Sequence, residues 1–510
     1  MKILLSLLLL CTSLAWAQPV PPTPFENGKF LTLPDSRDIS RYLAELDALS
    51  PRARLVSLGT SAGGRPIEAL LMSESPAFLR DHAAEADKPT VMIFGSQHGN
   101  EPSSAEAIQQ LARELIAGEH PALLSRLNLV LVAMANPDGR DLSTRHNAND
   151  DNTNIDYVAL NAGETRLLVD ALQSFDPDVV YDAHESGIWK RVLTREQGWM
   201  TDVEAQFDMG NNPNIDGPLR DYTEHRLLPA LIERVSDAGL AAVRYRGEIT
   251  DINQSVARGG LGITNLRNYA AMQGRISILV ENRLDNKDGS YPTPRNIAER
   301  VRKQHLSILT MLELVADESE QLVGLSRRAR QQWQSGTEDG RTLWMGVSFD
   351  VNRDEPEVTL PLVRFADGHQ QQHRFRNHDA IVTREPIRMA DAYAVTRERE
   401  RVAGWLDRHH IAFETVREPR ELVAERLVIE QLLPQPKARP GVREKVQARV
   451  RVAEQRVTLQ PGDLLVPMDQ PLGPLAALML DPRSANALYQ ESEWNWLQPG
   501  EFPVFPVRLP

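Results

Sequence analysis

Between Pro89 and Ala107 the chain reads Pro-Thr-Val-Met-Ile-Phe-Gly-Ser-Gln-His-Gly-Asn-Glu-Pro-Ser-Ser-Ala-Glu-Ala, and few folds accommodate that order. The apolar run Val91 to Phe94 is long enough for a buried strand and too short for a helix. Gly95 ends it, and helical spacing begins after Pro102. His98 and Glu101 therefore fall where a strand end meets a helix start. In open α/β sheets, ligands bind at the carboxyl ends of strands. An imidazole nitrogen and a carboxylate oxygen are both good Zn²⁺ ligands, and catalytic zinc commonly takes three protein ligands plus water.

The same alternation continues along the chain. Arg54 to Leu58 and Ile67 to Met72 flank a Gly-rich turn and predict a hairpin. Buried-strand runs recur at Asn128 to Met134, Asp178 to His184 and Ile276 to Glu281, with a short one at Ala241 to Tyr245. Helical spacing covers Ile39 to Leu49, Ser103 to Ala117, Gly163 to Phe175, Leu219 to Leu240 and Pro294 to Gln332. This pattern predicts an α/β fold, a mixed, mostly parallel twisted sheet with helices on both faces. From Thr342 prolines and turns multiply and short strands replace the alternation, which predicts a β-rich accessory domain with a small α/β element. The expected organisation is an extended arm over 18–35, a catalytic domain over 36–335 and the accessory domain over 342–510.

The N-terminus reads as a secretory signal over residues 1–17. Lys2 precedes an apolar run from Ile3 to Leu10, and Ala15-Trp16-Ala17 is an Ala-x-Ala cleavage site. Gln18 would then start an exported chain, periplasmic or secreted. The single cysteine, Cys11, lies in that signal, so the mature chain has no disulfide or thiolate chemistry and any metal must be held by His and carboxylates. No later run is apolar for long enough to span a bilayer. A net charge of −13 argues against a nucleic-acid-binding surface and a polybasic membrane patch.

Strand ends thus deliver His98 with Glu101, His184 and Glu281 to one sheet edge. Two histidines and one glutamate as ligands, with a second glutamate left over, are the inventory of a zinc peptidase. Taken singly each has a bland alternative: a core histidine, an ion-pair partner, a loop cap. His98-Gly-Asn-Glu101, Asn136-Pro-Asp-Gly139, Arg145-His-Asn-Ala-Asn149, Asn154-Ile-Asp-Tyr157, Asp182-Ala-His184 and Leu279-Val-Glu281 together resemble the zinc metallocarboxypeptidase family, the carboxypeptidase A group. The likeness covers about residues 36 to 320. It implies one Zn²⁺ held by His98, Glu101 and His184, with Glu281 as general base and acid and Arg145 polarising the carbonyl.

The departures bear on substrate. The family's Asp-x-Asn-Arg is Asn152-Thr-Asn154-Ile155 here, so the arginine that pairs with a substrate's C-terminal carboxylate is missing. Asn154 and Arg267 are candidate substrate-binding residues, with Arg275 a second possible replacement cation. Tyr269 is the candidate for the substrate-covering tyrosine. Asn152 also stands where an aspartate orients the first ligand histidine, with Asp150 or Asp151 as possible stand-ins. The leading expectation is an exported zinc metallocarboxypeptidase acting on a peptide or amide substrate. The alternatives are an amidase or endopeptidase acting on cell-wall peptides or acyl-amino acids without needing a free C-terminus, and a non-catalytic binding protein on a peptidase fold. His-Gly-Asn-Glu also occurs in the aspartoacylase and succinylglutamate desuccinylase group, which this long chain resembles less. His369, His373 and His378 read as a solvated strand or loop, and Trp494 and Trp496 as domain packing.

Overall fold

The computed structural model describes residues 20–83, 85, 87–284, 296–334, 342–434, 446–491 and 493–509; the signal stretch 1–17 lies outside them. The first strands in chain order are β1 (Ala53–Thr60), β2 (Pro66–Met72), β3 (Thr90–Gly95), β4 (Asn128–Val132), β5 (Val179–Ser186), β6 (Trp199–Thr201), β7 (Ala205–Met209), β8 (Ala242–Arg244), β9 (Ser255–Val256) and β10 (Ile276–Arg283). Eight of them form one sheet in the order β1-β2-β4-β3-β5-β10-β7-β8. Its centre, β4-β3-β5-β10, is parallel, the β1–β2 hairpin closes one side, and β7 pairs antiparallel with β10. Both β3 and β4 are buried along their whole length, which is why they read as unbroken apolar runs rather than alternating ones. Helices Ser36–Leu49, Ser103–Ala117 and Ile297–Asp317 pack on one another over one face, and Gly163–Phe175 and Leu266–Ala271 cover the other.

Three local details differ from the sequence reading. Within the stretch read as an extended arm, Pro24–Asn27 forms a helical turn closed by a capping box: Glu26 N–H donates to Thr23 Oγ1 (3.1 Å) and Thr23 N–H to Glu26 Oε2 (2.6 Å). Burial of Phe25 ties it down. Asn136-Pro-Asp-Gly139 starts a short helix, Pro137–Leu142, rather than only ending a strand. Asn136 Oδ1 accepts from Gly139 N–H (2.9 Å), and proline suits the first helical position because its missing N–H has no partner to lose. The Leu219 to Leu240 segment widens into a π turn at Thr223–Leu227, just before Pro229, which cannot donate to the carbonyl four residues back.

The larger correction concerns the boundary near residue 340. Strands β11 (Thr342–Asp350), β12 (Glu357–Arg364), β13 (Gln370–Asn377) and β14 (Ala380–Arg388) follow it. β12 and β13 pair with β6 and β9, from inside the expected catalytic span, to make a four-stranded sheet β6-β12-β13-β9. Leu193, Ile249 and Val256 share a core with Leu360, Leu362 and Phe375, so neither contributor buries that face alone. The remainder is β-rich with a small α/β element: Ala392–Val395, Leu464–Pro467, Val504–Arg508, Arg420–Pro434 and Val446–Leu459 share a sheet accompanied by helices Arg399–Arg408 and Gly473–Leu480. His369 and His373 lie at and on β13, where His373 Nε2 is 3.0 Å from the Ile252 carbonyl. Trp494 and Trp496 are buried, the latter stacked on Tyr489. Among the described residues no helix is long and apolar enough to cross a membrane.

One polar clamp joins the last segment to the first. Trp405 Nε1–H (2.8 Å) and His409 Nε2–H (3.0 Å) both donate to the Val158 carbonyl, and Tyr269 O–H donates to His409 Nδ1 (2.9 Å). That arrangement needs a neutral imidazole. Burial pushes its pKa down to about 3, with the neighbouring Arg408 and His410 adding to the effect against the Val158 carbonyl. The unfolded chain therefore binds a proton near pH 6.5 that the folded chain refuses. Stability should fall by about 1.4 kcal/mol for each pH unit below that value on account of this residue. Urea midpoints measured from pH 7 to pH 4.5 should decline less steeply in His409→Gln than in the wild type, since glutamine can still donate to Val158 and accept from Tyr269.

Candidate metal centre

After β3 the chain must leave the sheet and return over its edge. Ser96, in the left-handed region at φ 51°, makes the first turn, and its N–H donates to Ser104 Oγ (2.9 Å). Glu101 N–H then closes a tight turn on the His98 carbonyl (3.0 Å). Gly99 lies against the short helix Pro137–Leu142, where an added Cβ would sit 1.9 Å from the Gly139 carbonyl carbon. No other residue type fits there without moving that helix. His184 comes from the end of β5, and Glu281 sits directly beside it in the parallel β5–β10 register.

These elements bring three donors to one point. His98 Nδ1 is 3.0 Å from Glu101 Oε1, His184 Nδ1 is 2.9 Å from Glu101 Oε2, and the two Nδ1 atoms are 3.2 Å apart. All three residues are buried, and among the described residues no other group of His, Cys, Asp and Glu is set to hold an ion. Two atoms bonded at about 2.0–2.1 Å to a tetrahedral zinc lie about 3.3 Å apart, so the donor set fits this metal closely. The Glu185 backbone N–H fixes the glutamate by donating to Glu101 Oε2 (3.1 Å). The Glu185 carboxylate is in turn forked by Arg300 at 2.7 and 2.9 Å.

Residues 39–184 match the family model described as zinc carboxypeptidase. Over that span the chain is similar to the zinc carboxypeptidase family. Carboxypeptidase 2 of Trichophyton tonsurans is 25% identical over 227 residues, 44% of this chain and 42% of that protein. Carboxypeptidase D of Mus musculus is 35% identical over 101 residues, 17% of this chain and 7% of that protein. The chain thus spans less than half the length of these curated relatives. The carboxypeptidase A of Helicoverpa armigera covers 57% of this chain and 75% of its own, at 16% identity and a TM-score of 0.44.

The family's remaining sequence signals are met unevenly. Arg145 Nη1 is 3.2 Å from Glu101 Oε1 while its side chain stays half exposed, at the rim of the donor cluster. Asn154 is half-buried, its carboxamide oxygen unpartnered. Ile155 beside it is 58% exposed. Arg267 does not replace the missing arginine: it is buried, with Nη1 on Asp208 Oδ2 (2.6 Å) and Nη2 on the Gly260 carbonyl (2.8 Å). Nor does Arg275, buried against Gln273, Leu172 and Asp176. Tyr269 cannot cover a substrate, because it is fully enclosed and committed to His409. Neither carboxylate expected to orient His98 does so. Asp150 pairs with His146 (2.7 Å), Asp151 accepts from Asn147 (3.4 Å), and Asn152 caps its own turn at Asn154 N (3.2 Å).

Other groups were not anticipated from sequence. Asp182 Oδ1 is 2.9 Å from His184 Nε2; residues two apart on a strand share a face, so Asp-x-His already held that signal. Tyr245, at the end of β8, lines a small cleft with Ser186, Lys190, Gln206 and Glu248. Burial, then the charge of Glu281, drives its hydroxyl pKa up, so the phenol stays neutral. No periodicity marks that residue.

Burial alone would raise the Glu101 pKa, yet the two imidazoles hold it well below the usual carboxylate range. Burial lowers the His98 pKa; at His184, Asp182 and Glu101 overcome burial and raise it. For Glu281, burial pushes the carboxyl up to about 8, His184 opposing and Glu101 adding. One cluster thus holds two glutamates whose environments drive them apart, the pattern of distinct roles. Because Gly99 has no room for a methyl, Gly99→Ala should lower unfolding free energy by about 1–3 kcal/mol. Gly163→Ala, with open space around its Cβ position, should be neutral or gain up to about 1 kcal/mol. Parallel urea titrations compare the two.

Proposed function

We propose that the protein is an exported, zinc-dependent hydrolase of peptide bonds, most simply a carboxypeptidase, holding one ion on His98, Glu101 and His184. The observation that carries this reading is the triangle of donor atoms at 2.9–3.2 Å with Glu281 in register beside His184. Zinc, when bound, supplies a Lewis acid that acidifies water and polarises the scissile carbonyl. Glu281 takes the proton from the attacking water and delivers it to the leaving amine. A carboxyl pushed upward by burial suits both steps, since it accepts the proton and then gives it up near neutral pH. Arg145, half exposed at the rim, is placed to hydrogen-bond the oxyanion of the tetrahedral intermediate. The stretch 1–17 supports export, and an N-terminus at Gln18 in the purified protein is its check.

A second reading draws support from Ile155. With Arg267 and Arg275 both buried and engaged by Asp208 and Asp176, neither can take a substrate's terminal carboxylate, and an amidase or endopeptidase mode needs no such group. Assays on matched peptides with free and amidated C-termini separate the two modes. A carboxypeptidase should favour the free form by about 10–100-fold, the worth of a charged hydrogen-bonded contact; equal rates would establish the second mode. In the same assay Glu281→Gln should retain stoichiometric zinc and lose about 10²–10⁴-fold in turnover. Wild-type turnover in that variant would remove Glu281 from the mechanism.

A further inference from the structure

His98 and His184 both aim Nδ1 at the ligand cluster, so each must dispose of Nε2. At His98 that atom is buried with no hydrogen-bond partner among the described residues. Asn152, Asp150 and Asp151 are all occupied elsewhere. At His184 a carboxylate stands beside the same atom. Asp182 Oδ1 lies 2.9 Å from Nε2, at ion-pair distance though off the axis of the ring N–H.

Asp182 is itself held. Gln97 Nε2–H donates to Asp182 Oδ1 (2.6 Å), and Tyr157 O–H donates to Gln97 Oε1 (2.8 Å). The directions are forced: a flipped Gln97 would set its carbonyl oxygen against the carboxylate. Gln97, Tyr157 and Asp182 are all buried. Gln97 also receives Thr153 Oγ1–H on its backbone carbonyl (3.0 Å). Packing of Tyr157 on Tyr269, with ring centroids 5.3 Å apart, limits its movement.

Resting on the metal reading above, we propose that the second histidine, rather than the first, is oriented by a buried hydrogen-bonded chain. Asp182, Gln97 and Tyr157 are positioning residues: they keep His184 protonated on Nε2 and its Nδ1 lone pair toward the ion, while His98 Nε2 has no such group behind it among the described residues. Carboxylates behind metal-bound histidines fix the tautomer and ring orientation, and their loss commonly costs 10–100-fold in metal affinity.

The test is zinc affinity of the full chain, measured by competition with a chromophoric chelator, together with the visible spectrum of the cobalt-loaded protein. Asp182→Asn should weaken zinc by about 10–100-fold and shift the cobalt bands. Tyr157→Phe, which removes one oxygen and keeps the ring packing, should weaken it in the same direction by about 10-fold. Asn152→Ser, which keeps a capping oxygen, should change neither readout. Wild-type affinity in Asp182→Asn or in Tyr157→Phe overturns the inference, as does a loss of affinity in Asn152→Ser. Failure of the wild-type chain to bind zinc overturns the metal reading instead.

Discussion

The site depends on one constraint, the parallel alignment of β3, β5 and β10 with Val91, Val179 and Ile276 abreast. From that line β5 and β10 carry His184 and Glu281 to the same level on adjacent strands. β3 stops one step short, at Gly95 opposite Ala183, and Ser96 turns the chain so that His98 and Glu101 come over the edge. Side chains alternate faces along a strand, so a slip of one residue in β10 would turn Glu281 to the opposite side of the sheet. Burial on both faces resists such a slip, since every slipped register would trade apolar contacts for misfits. The geometry of the donor cluster and the packing of the core are therefore specified by the same pairings.

Buried charges near the edge are arranged to hold this frame rather than to react. Glu185 is forked by Arg300 and accepts from Ser103 N–H at the start of a helix. Glu106 pairs with Arg140 Nη2, which also donates to the Pro34 carbonyl, while Nη1 donates to the Pro102 carbonyl. Such pairs contribute little net stability against apolar replacements, but removing one partner strands a charge and costs several kcal/mol, roughly 3–5. Their effect is to fix the loop carrying Glu101 in one place. Arg267 with Asp208 belongs to the same class, and this is why an arginine that sequence offers as a substrate ligand is unavailable for it.

The parts of this architecture legible from sequence are those set by local pattern. Continuous apolar runs marked the central strands, and the strand-end positions of His98, His184 and Glu281 marked the ligand edge. The four-stranded sheet was not legible, because β6 is three residues long, β9 is two, and their partners lie more than a hundred residues onward. Neither piece has a period to detect, and their pairing is decided by the shared core of Leu193, Ile249, Val256 and Phe375. Tyr269 failed as a site residue for a related reason: sequence position near Glu281 does not tell which side of a six-residue helix a side chain takes. Asp182 was visible as part of a motif, but its role emerges only once Asn152 is seen turned away.

The C-terminal segment reaches the same structure from behind. Val158 follows the turn that holds Asn154 and Ile155, and its carbonyl receives both Trp405 and His409. Residues 357–377 meanwhile pair with the segments 199–201 and 255–256, and Thr201 of the first lines the small cleft with Tyr245. Arg246 and Arg258 share Asp379, at the β13–β14 turn, at 2.5 and 3.3 Å. Two separate parts of the later chain thus hold segments of the earlier one, by strand pairing and by hydrogen bonds. A loop so braced loses less conformational entropy when a substrate orders it, and preorganisation of that kind strengthens binding without adding a contact. Among the described residues the later chain supplies none of the three clustered donor atoms; what it adds is restraint on the segments it pairs with.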